Sequence, residues 1–388
     1  MKQPWISSAL LLPVLACAAP ASTGSSLDGA TAAPGEGSGE GSGGEGSSAG
    51  ADDSTSGVGG DSGLDPTATR RVPAEWEPQA ALWMQWPGEW ERHFEETFVE
   101  VIAIARQHQP VHLVAANGSM RDRATNMLAD AGVSSDGITW HIIPTDNAWM
   151  RDNGPRYVMV DDQMVVQDWG FDGWGGNFGA DIPYEDDNRV PPVIADYLGL
   201  PVETVDMVHE RGDLEFNGLD TVMVNWSVVT DRNPDLSEAQ ATAIFESAFG
   251  VSSVIYLEGF HPEDGTTGHV DGLARFISED EVVVGQISNP DFDPVFADLF
   301  ENVAGQIAAQ RPDLTIIRMP FPADTDYMNW LVGNGYVISG AFGNAQADAA
   351  AQAQLQQWFP ERTIYMVDVR DLWVDGGGIH CVTNDQPL

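Results

Sequence analysis

From about residue 80 onward, the apolar positions fall into short strand-like runs. Longer stretches lie between them in which apolar residues recur every three or four positions. Paired strand-like runs occur near 157–169, 214–229, 273–287 and 329–341, with starts about 57 residues apart. A helix-like segment follows each pair, near 191–198, 237–249, 295–310 and 345–358. Most of these lead into one more strand, as at Ser253–Leu257, 314–319 and 363–367. The N-terminal part supplies a strand at 80–85, a helix from about 90 to 107 and a strand at Val111–Ala115. It lacks an opening hairpin, which residues 378–383 could complete.

A unit of hairpin, helix and strand cannot bury its own faces and must stack on its neighbours. Five such units with the chain ends paired would close a ring and leave no open sheet edge. The pattern therefore predicts an α/β fold of the propeller kind, five pseudo-symmetric units with any site on the axis where they converge. An open α/β sheet is the competing architecture.

The first 70 residues do not fit this pattern. Residues 1–17 carry Lys2, an apolar run over 6–16 and then Cys17, which reads as a signal peptide with a lipobox-like site and Cys17 as the lipidated residue. The run is too short to span a bilayer. Leu15 is not the usual small residue of such a site, and an ordinary signal peptide cut near Ala19 or Ala21 is the alternative. Residues 18–70 are Gly, Ser, Ala and acidic side chains with little to bury, the composition of a disordered linker. Its reach would be on the order of 40 Å. The expectation is an exported, membrane-anchored lipoprotein, periplasmic or at the cell surface, whose folded domain is 71–388.

Charge and cysteine usage narrow the chemistry. Asp and Glu number 59 against 17 Lys and Arg, giving a formal net charge of −42, and Lys2 is the only lysine. Nucleic acid is an unsuitable partner for such a surface. Acidity of this kind serves solubility, and it also attracts cations. Cys17 and Cys381 are the only cysteines. Loss or lipidation of Cys17 leaves Cys381 as a lone thiol, either buried and inert or a nucleophile.

Three segments carry more chemistry than a scaffold needs. In Asp146-Asn147-Ala148-Trp149-Met150-Arg151-Asp152-Asn153-Gly154-Pro155, a turn-rich stretch can present a carboxylate and an aromatic face to a planar cation. In Gly268-His269-Val270-Asp271, strand geometry would put His269 and Asp271 on one face. In Gly376-Gly377-Gly378-Ile379-His380-Cys381, glycines would let the backbone approach a ligand beside the thiol. Singly, each is ordinarily packing or a turn; together they point to a site.

On these residues the sequence resembles the agmatine deiminase and bacterial peptidylarginine deiminase family, within the guanidine-modifying superfamily of five-unit, pentein-like α/β propellers. Further matching stretches are Pro73-Ala74-Glu75-Trp76-Glu77-Pro78, Trp169-Gly170-Phe171 with Trp174-Gly175-Gly176, and residues 376–387, so that the likeness spans 71–388. The resemblance implies that Cys381 is the nucleophile, His269 the general acid and base, and Asp152 and Asp271 the carboxylates gripping the guanidinium. It implies that Trp149 stacks on the guanidinium plane, that Trp174 belongs with the substrate-binding residues, and that Asn329 lies near the reaction centre. Glu215 resembles a glutamate that orients the histidine or the substrate. Where the family commonly has Glu-Gly-Gly, this sequence has Glu210-Arg211-Gly212, and the arginine could narrow the site or pair with Asp213.

These residue types suit the chemistry. Three nitrogens share the charge of a guanidinium, so its carbon yields only to a strong nucleophile with paired carboxylates localising that charge. No metal or organic cofactor is required, and no ligand spacing suggests a metal. A thiolate at neutral pH needs a positive neighbour, which His269 or the substrate could supply.

No arginine lies between Asp168 and Asp181, while Asp168, Asp172 and Asp181 would suit an amine tail. The expectation is conversion of agmatine to N-carbamoylputrescine and ammonia. The alternatives are a peptidylarginine deiminase acting on arginine-containing protein, which the export signal favours, and a non-catalytic guanidino- or polyamine-binding lipoprotein. A further alternative makes Arg211-Gly212-Asp213 an adhesion tripeptide.

Overall fold

The computed structural model describes residues 68–179 and 181–388. The expectations for the signal peptide, for Cys17 and for most of the linker lie outside the described residues. The end of the presumed linker is part of the fold. Arg70–Arg71 adds an antiparallel edge strand to Arg156–Val160, and Arg70 donates to Glu203 Oε2 at 2.6 Å.

The described residues form a mixed α/β structure with five separate sheets. Four of them repeat one plan, an antiparallel hairpin whose second strand is joined by a parallel third strand. The plan is seen in Arg156–Val160, Gln163–Gly170 and Val202–Val208; in Glu215–Phe216, Thr221–Asn225 and Ser253–Leu257; in Ala274–Phe276, Glu281–Ile287 and Thr315–Phe321; and in Leu331–Gly333, Tyr336–Ala341 and Thr363–Asp368. Parallel pairing requires a crossover, which the helices Val190–Leu198, Glu238–Phe249, Pro294–Gln310 and Ala345–Trp358 supply. Ser237 and Gln240 form a capping box at the start of the second of these, and Asp293 and Asn344 cap the next two.

The fifth sheet joins the chain ends. Asn384–Pro387 pairs antiparallel with Gln79–Gln85, followed by Val111–Ala115 and Ile138–Ile142 in parallel. The closing strand therefore lies just beyond the expected 378–383, which instead form a turn. Central strands are buried on both faces, as at Val282, Val283 and Val284. Full burial of one such side chain contributes roughly 1.5–3 kcal/mol.

One feature of this plan positions the chemistry. In each sheet the short opening strand is preceded by a turn, and the turns end at Asn153, Asp213, Gly272, Trp330 and Thr383. These turns carry nearly every side chain that the sequence marks as functional.

Candidate active site

Cys381 is half-buried in the turn before Asn384–Pro387 and opens onto a cavity of about 700 Å³. Trp149, Asp152, Trp174, His269, Asp271 and Asn329 line the same cavity. Asn329 holds the thiol loop with both ends of its amide. Its Nδ2 donates to Cys381 Sγ at 3.2 Å, and its Oδ1 accepts from the backbone N–H of His380 at 2.9 Å and of Cys381 at 3.3 Å. The glycines before the thiol line the cavity beside it, and two of them also serve this packing. A Cβ on Gly377 would lie 2.1 Å from the Trp149 indole, and one on Gly378 would lie 2.5 Å from Asn329 Oδ1.

Asp152 comes from the single helical turn Met150–Asn153 and is buried. Its Oδ2 accepts from Trp174 Nε1 at 2.9 Å and its Oδ1 from the Gly212 N–H at 3.2 Å. Trp174 adopts a left-handed backbone conformation, φ 59°, between glycines that do likewise. That conformation is costly for a bulky residue and here aims the indole at the carboxylate.

His269 and Asp271 do share the cavity, but on a tight turn and not on a strand: Val270–Gly272 is a 3-10 turn with His269 capping it. His269 Nδ1 lies 3.5 Å from Asp152 Oδ1, and its Nε2 lies 3.6 Å from Glu210 Oε2. Asp271 Oδ2 accepts from His380 Nδ1 at 2.7 Å and is 3.7 Å from Cys381 Sγ.

Burial and charge set the protonation states. Burial works against a charged His269, but Asp152, Glu210 and Asp271 outweigh it and lift the imidazolium to about 10. Burial, with Asp271 and Glu210 adding to it, raises Asp152 to about 6 although His269 and Trp174 oppose. Burial also raises Asp271, yet the bond from His380 and the charges around it bring its carboxyl below the usual range. The Cys381 thiol is pushed well up, first by burial and then by Asp271 and Asp152, against the bonds from Gly378 and Asn329. Burial and the two carboxylates therefore favour the protonated sulfur.

The structure corrects several expectations. Glu215 does not reach the cavity: it accepts from Arg275 Nε at 3.1 Å and from the Phe276 N–H at 2.8 Å. The glutamate facing His269 is Glu210. Arg211 neither narrows the cavity nor pairs with Asp213; it donates to Asn384 Oδ1 and Asp385 Oδ1, both at 2.8 Å. Gly212 and Asp213 are buried, so the Arg-Gly-Asp tripeptide is not displayed. Asp168 lines a separate hollow, Asp172 faces Arg232 at 3.9 Å, and Asp181 is an exposed residue outside the cavity lining. The carboxylates that line the outer cavity are instead Glu263, Asp264, Asp293, Asp324, Asp326 and Asp375.

Sequence reasoning also passed over four residues. Glu210 was visible as the start of Glu210-Arg211-Gly212, and His380 lies inside the glycine-thiol motif. Glu75 lies in the Pro73 to Pro78 stretch, where nothing marked it as reaching His380, whose Nε2 is 3.1 Å from Glu75 Oε2. Asp326 gave no signal. Its Oδ1 accepts from the Met328 N–H at 2.7 Å, and burial raises it to about 8. Among the described residues, no group of three or more His, Cys, Asp or Glu side chains is arranged to hold a metal ion.

The chain is similar to known deiminases in sequence and in fold. Residues 71–387 match the family model of the Porphyromonas-type peptidyl-arginine deiminases. The agmatine deiminase of Pseudomonas aeruginosa is 30% identical over 372 residues, covering 83% of this chain and 98% of that enzyme. That of Ectopseudomonas mendocina is 30% identical over 361 residues, covering 81% and 95%. The solved agmatine deiminase of Enterococcus faecalis superposes with a TM-score of 0.74 at 26% identity, covering 82% of this chain and 96% of that one.

Proposed function

The chain belongs to the Porphyromonas-type peptidyl-arginine deiminase family, and from there we propose that it hydrolyses a small guanidino-amine, agmatine first, through a covalent cysteine intermediate. The agmatine deiminases among its relatives support a hydrolase of guanidino C–N bonds. The carrying observation is that one cavity joins Cys381, His269, Asp152 and Asp271, while among the described residues no Arg or Lys lines it. Apart from the His269 imidazolium, which already faces Asp152 and Glu210, a substrate carboxylate would find no cationic side chain there, whereas a guanidinium and an amine both meet carboxylates.

In this mechanism the guanidinium docks between Asp152 and Asp271 with its plane on Trp149. Its positive charge offsets the two carboxylates that hold the thiol protonated, so Cys381 ionises as substrate arrives, giving its proton to solvent and regaining one after product leaves. Sγ attacks the guanidinium carbon to give a neutral tetrahedral adduct. The His269 imidazolium donates its proton to the departing nitrogen, the C–N bond breaks, and ammonia leaves a cationic thiouronium. Neutral His269 then takes a proton from water as the oxygen bonds to carbon. Collapse breaks the C–S bond and releases the thiolate and the ureido product, and the hydroxyl proton goes to ammonia. Asn329 Nδ2 stabilises the thiolate before attack and again as the C–S bond breaks.

The five sheets, four of which open on a segment that lines the cavity, support a closed five-unit propeller with the site on its axis. An experimental structure in which the sheets did not surround the cavity would overturn this. Export and lipid anchoring rest on residues 1–17 alone and are tested by radiolabelled-palmitate incorporation at Cys17. A peptidyl-arginine substrate is the second reading, favoured by a cavity larger than agmatine needs. Nine heavy atoms at roughly 20–30 Å³ each fill about a third of 700 Å³.

The test is ammonia and ureido-product release by the full chain with agmatine, free arginine and arginine-containing peptides. Agmatine turnover that vanishes in Cys381→Ala is the expected result. Turnover of peptides alone would replace the substrate, and turnover by Cys381→Ala would overturn the mechanism.

A further inference from the structure

Behind Asp271 runs a line of buried polar contacts that the mechanism above does not use. Asp271 Oδ2 accepts from His380 Nδ1 at 2.7 Å, and His380 Nε2 lies 3.1 Å from Glu75 Oε2. Glu75 is tied down in turn: its Oε1 accepts from the Val332 N–H at 2.7 Å and its Oε2 from Arg275. Arg275 also bonds the carbonyl of Trp330 at 2.7 Å and Glu215. This gives Glu215 a place in the outer support of the site.

The geometry points to His380, clamped by Glu75, as the positioning residue that fixes which oxygen of Asp271 meets the substrate guanidinium. The inference rests on the deiminase reading above. Oδ2 of Asp271 is occupied by His380, while Oδ1 accepts no hydrogen bond from any described residue and belongs to a side chain that lines the cavity. A carboxylate on a short side chain can turn about two bonds. Bound at Oδ2 by a ring that is itself held at its far nitrogen, it cannot. A carboxylate can only accept, so the shorter of the two contacts places a ring proton on Nδ1. The backbone closes the arrangement: the His380 N–H and the Cys381 N–H share Asn329 Oδ1, so the residue aiming the carboxylate is also peptide-bonded to the nucleophile. Glu75 arrives from the N-terminal loop and His380 from the C-terminal turn, so pairing of the chain ends is what assembles the pair.

The test separates the two ring nitrogens. Asparagine places an amide N–H near the position of Nδ1, whereas glutamine reaches the position of Nε2. His380→Asn keeps the donor to Asp271, and His380→Gln keeps the link to Glu75 and loses that donor. Because a grip on the guanidinium acts before and during reaction, its loss should raise KM more than it lowers kcat. A charge-assisted hydrogen bond is worth about 1.5–3 kcal/mol, roughly a 10- to 150-fold change. We expect KM for agmatine to rise about tenfold or more in His380→Gln and His380→Ala, and to recover most of the way in His380→Asn. The dissociation constant of agmatine from the corresponding double variants with Cys381→Ala should move in parallel.

Equal KM values in the Asn and Gln variants would overturn the inference, as would an unchanged KM or failure of both proteins to fold, since packing alone would then explain the histidine. Wild-type agmatine turnover is the control for the reading beneath it. If that turnover is absent, the reading of the site falls and this inference with it. If it is present and the variants are alike, only the inference falls.

Discussion

Glu210 Oε2 faces His269 Nε2 across 3.6 Å, and neither atom has a hydrogen-bond partner among the described residues. On its other side Glu210 is held by Arg232, whose Nε donates to Oε1 at 2.8 Å. Burial alone would raise Glu210, but Arg232 and His269 hold it well below the usual carboxylate range. A fixed negative charge therefore stands where it favours the doubly protonated ring, the form that can donate to a leaving amine.

Glu210→Gln keeps the shape and removes that charge. His269 should fall from about 10 toward 6.5, and the basic limb of the pH profile of kcat/KM should move down with it. Near pH 8, kcat/KM should drop by up to roughly 30-fold, because a ring titrating near 6.5 is only about 3% protonated there. The raised value of His269 also contributes stability that is complete below 6.5 and lost as pH rises through about 10, so thermal melts of the variant and the wild type should converge above that range. A basic limb that stays in place would show that Glu210 does not set the proton on His269.

Gly212 is required by space. A Cβ there would lie 2.6 Å from both Asp152 Oδ1 and His269 Nδ1. Neither neighbour can retreat, because Asp152 is bonded to Trp174 and His269 is wedged against Glu210. Gly212→Ala should cost about 1–3 kcal/mol of stability, typical of overpacking. It should lower kcat/KM by at least about a hundredfold, since misplacing catalytic groups by an ångström has that effect. Urea unfolding and steady-state kinetics on one preparation check both numbers. A fully active alanine variant would mean that the Asp152 and His269 spacing is not critical.

Much of this was legible in the sequence because it is periodic. Hairpins, crossover helices and third strands leave signals of period two and 3.6, and Ala345–Trp358 and Ser253–Leu257 were read to the residue. Gly118–Asp130 and Ile138–Ile142 were passed over for a physical reason. The helix buries only Met120, Ala124 and Leu128, and the strand is a half-exposed edge, so neither shows a clear apolar stripe. In the site, a thiol, an imidazole and paired carboxylates in glycine-rich turns were visible as chemistry. Which glutamate faces His269 was not, because Glu210 and Glu215 are five residues apart and a 3-10 turn at Arg211–Asp213 decides the direction of each. The reach of Glu75 to His380 joins residues 305 positions apart and could not be read locally.

Asp326 is a buried carboxyl whose burial outweighs the Met328 N–H and Arg275 that favour its charge. Burial lifts it from 3.8 to about 8, so the folded state holds a proton that the unfolded chain has released. Stability from this group is therefore fully present below 3.8 and is lost as pH rises through about 8. Asparagine preserves the acceptor for the Met328 N–H and has no charge to form. Asp326→Asn should melt near wild type at pH 4, with an advantage that grows with pH and levels off above about 8. Each retained kcal/mol is worth roughly 2–4 °C for a domain of this size. An advantage that is flat across this range would show that Asp326 is not the titrating group.

The last expectation concerns how the thiol loop is tied to the rest of the domain. Asp385 lies in the closing strand Asn384–Pro387, and its Oδ1 accepts from Arg151 at 2.7 Å and from Arg211 at 2.8 Å, all three side chains being largely buried. Arg151 and Arg211 repel each other, and burial lowers Arg211 further, so the pair is tolerable only around this carboxylate. Asp385→Ala leaves two uncompensated buried guanidiniums and should cost about 3–5 kcal/mol. Burial would raise Asp385, but the two arginines bring it below 3.8, so its contribution is present above that value and disappears as pH falls through the folded one. The gap between variant and wild type in urea should be full at pH 6 and should narrow below pH 3.8. Because Arg151 also holds the His380 carbonyl at 3.1 Å, the loop bearing Cys381 should loosen before the domain unfolds. Alkylation of Cys381 by iodoacetamide should then be faster in Asp385→Ala under conditions where its helical signal is still native. Equal alkylation rates with equal urea midpoints would mean that the two arginines find other partners, and that strand pairing alone secures the nucleophile.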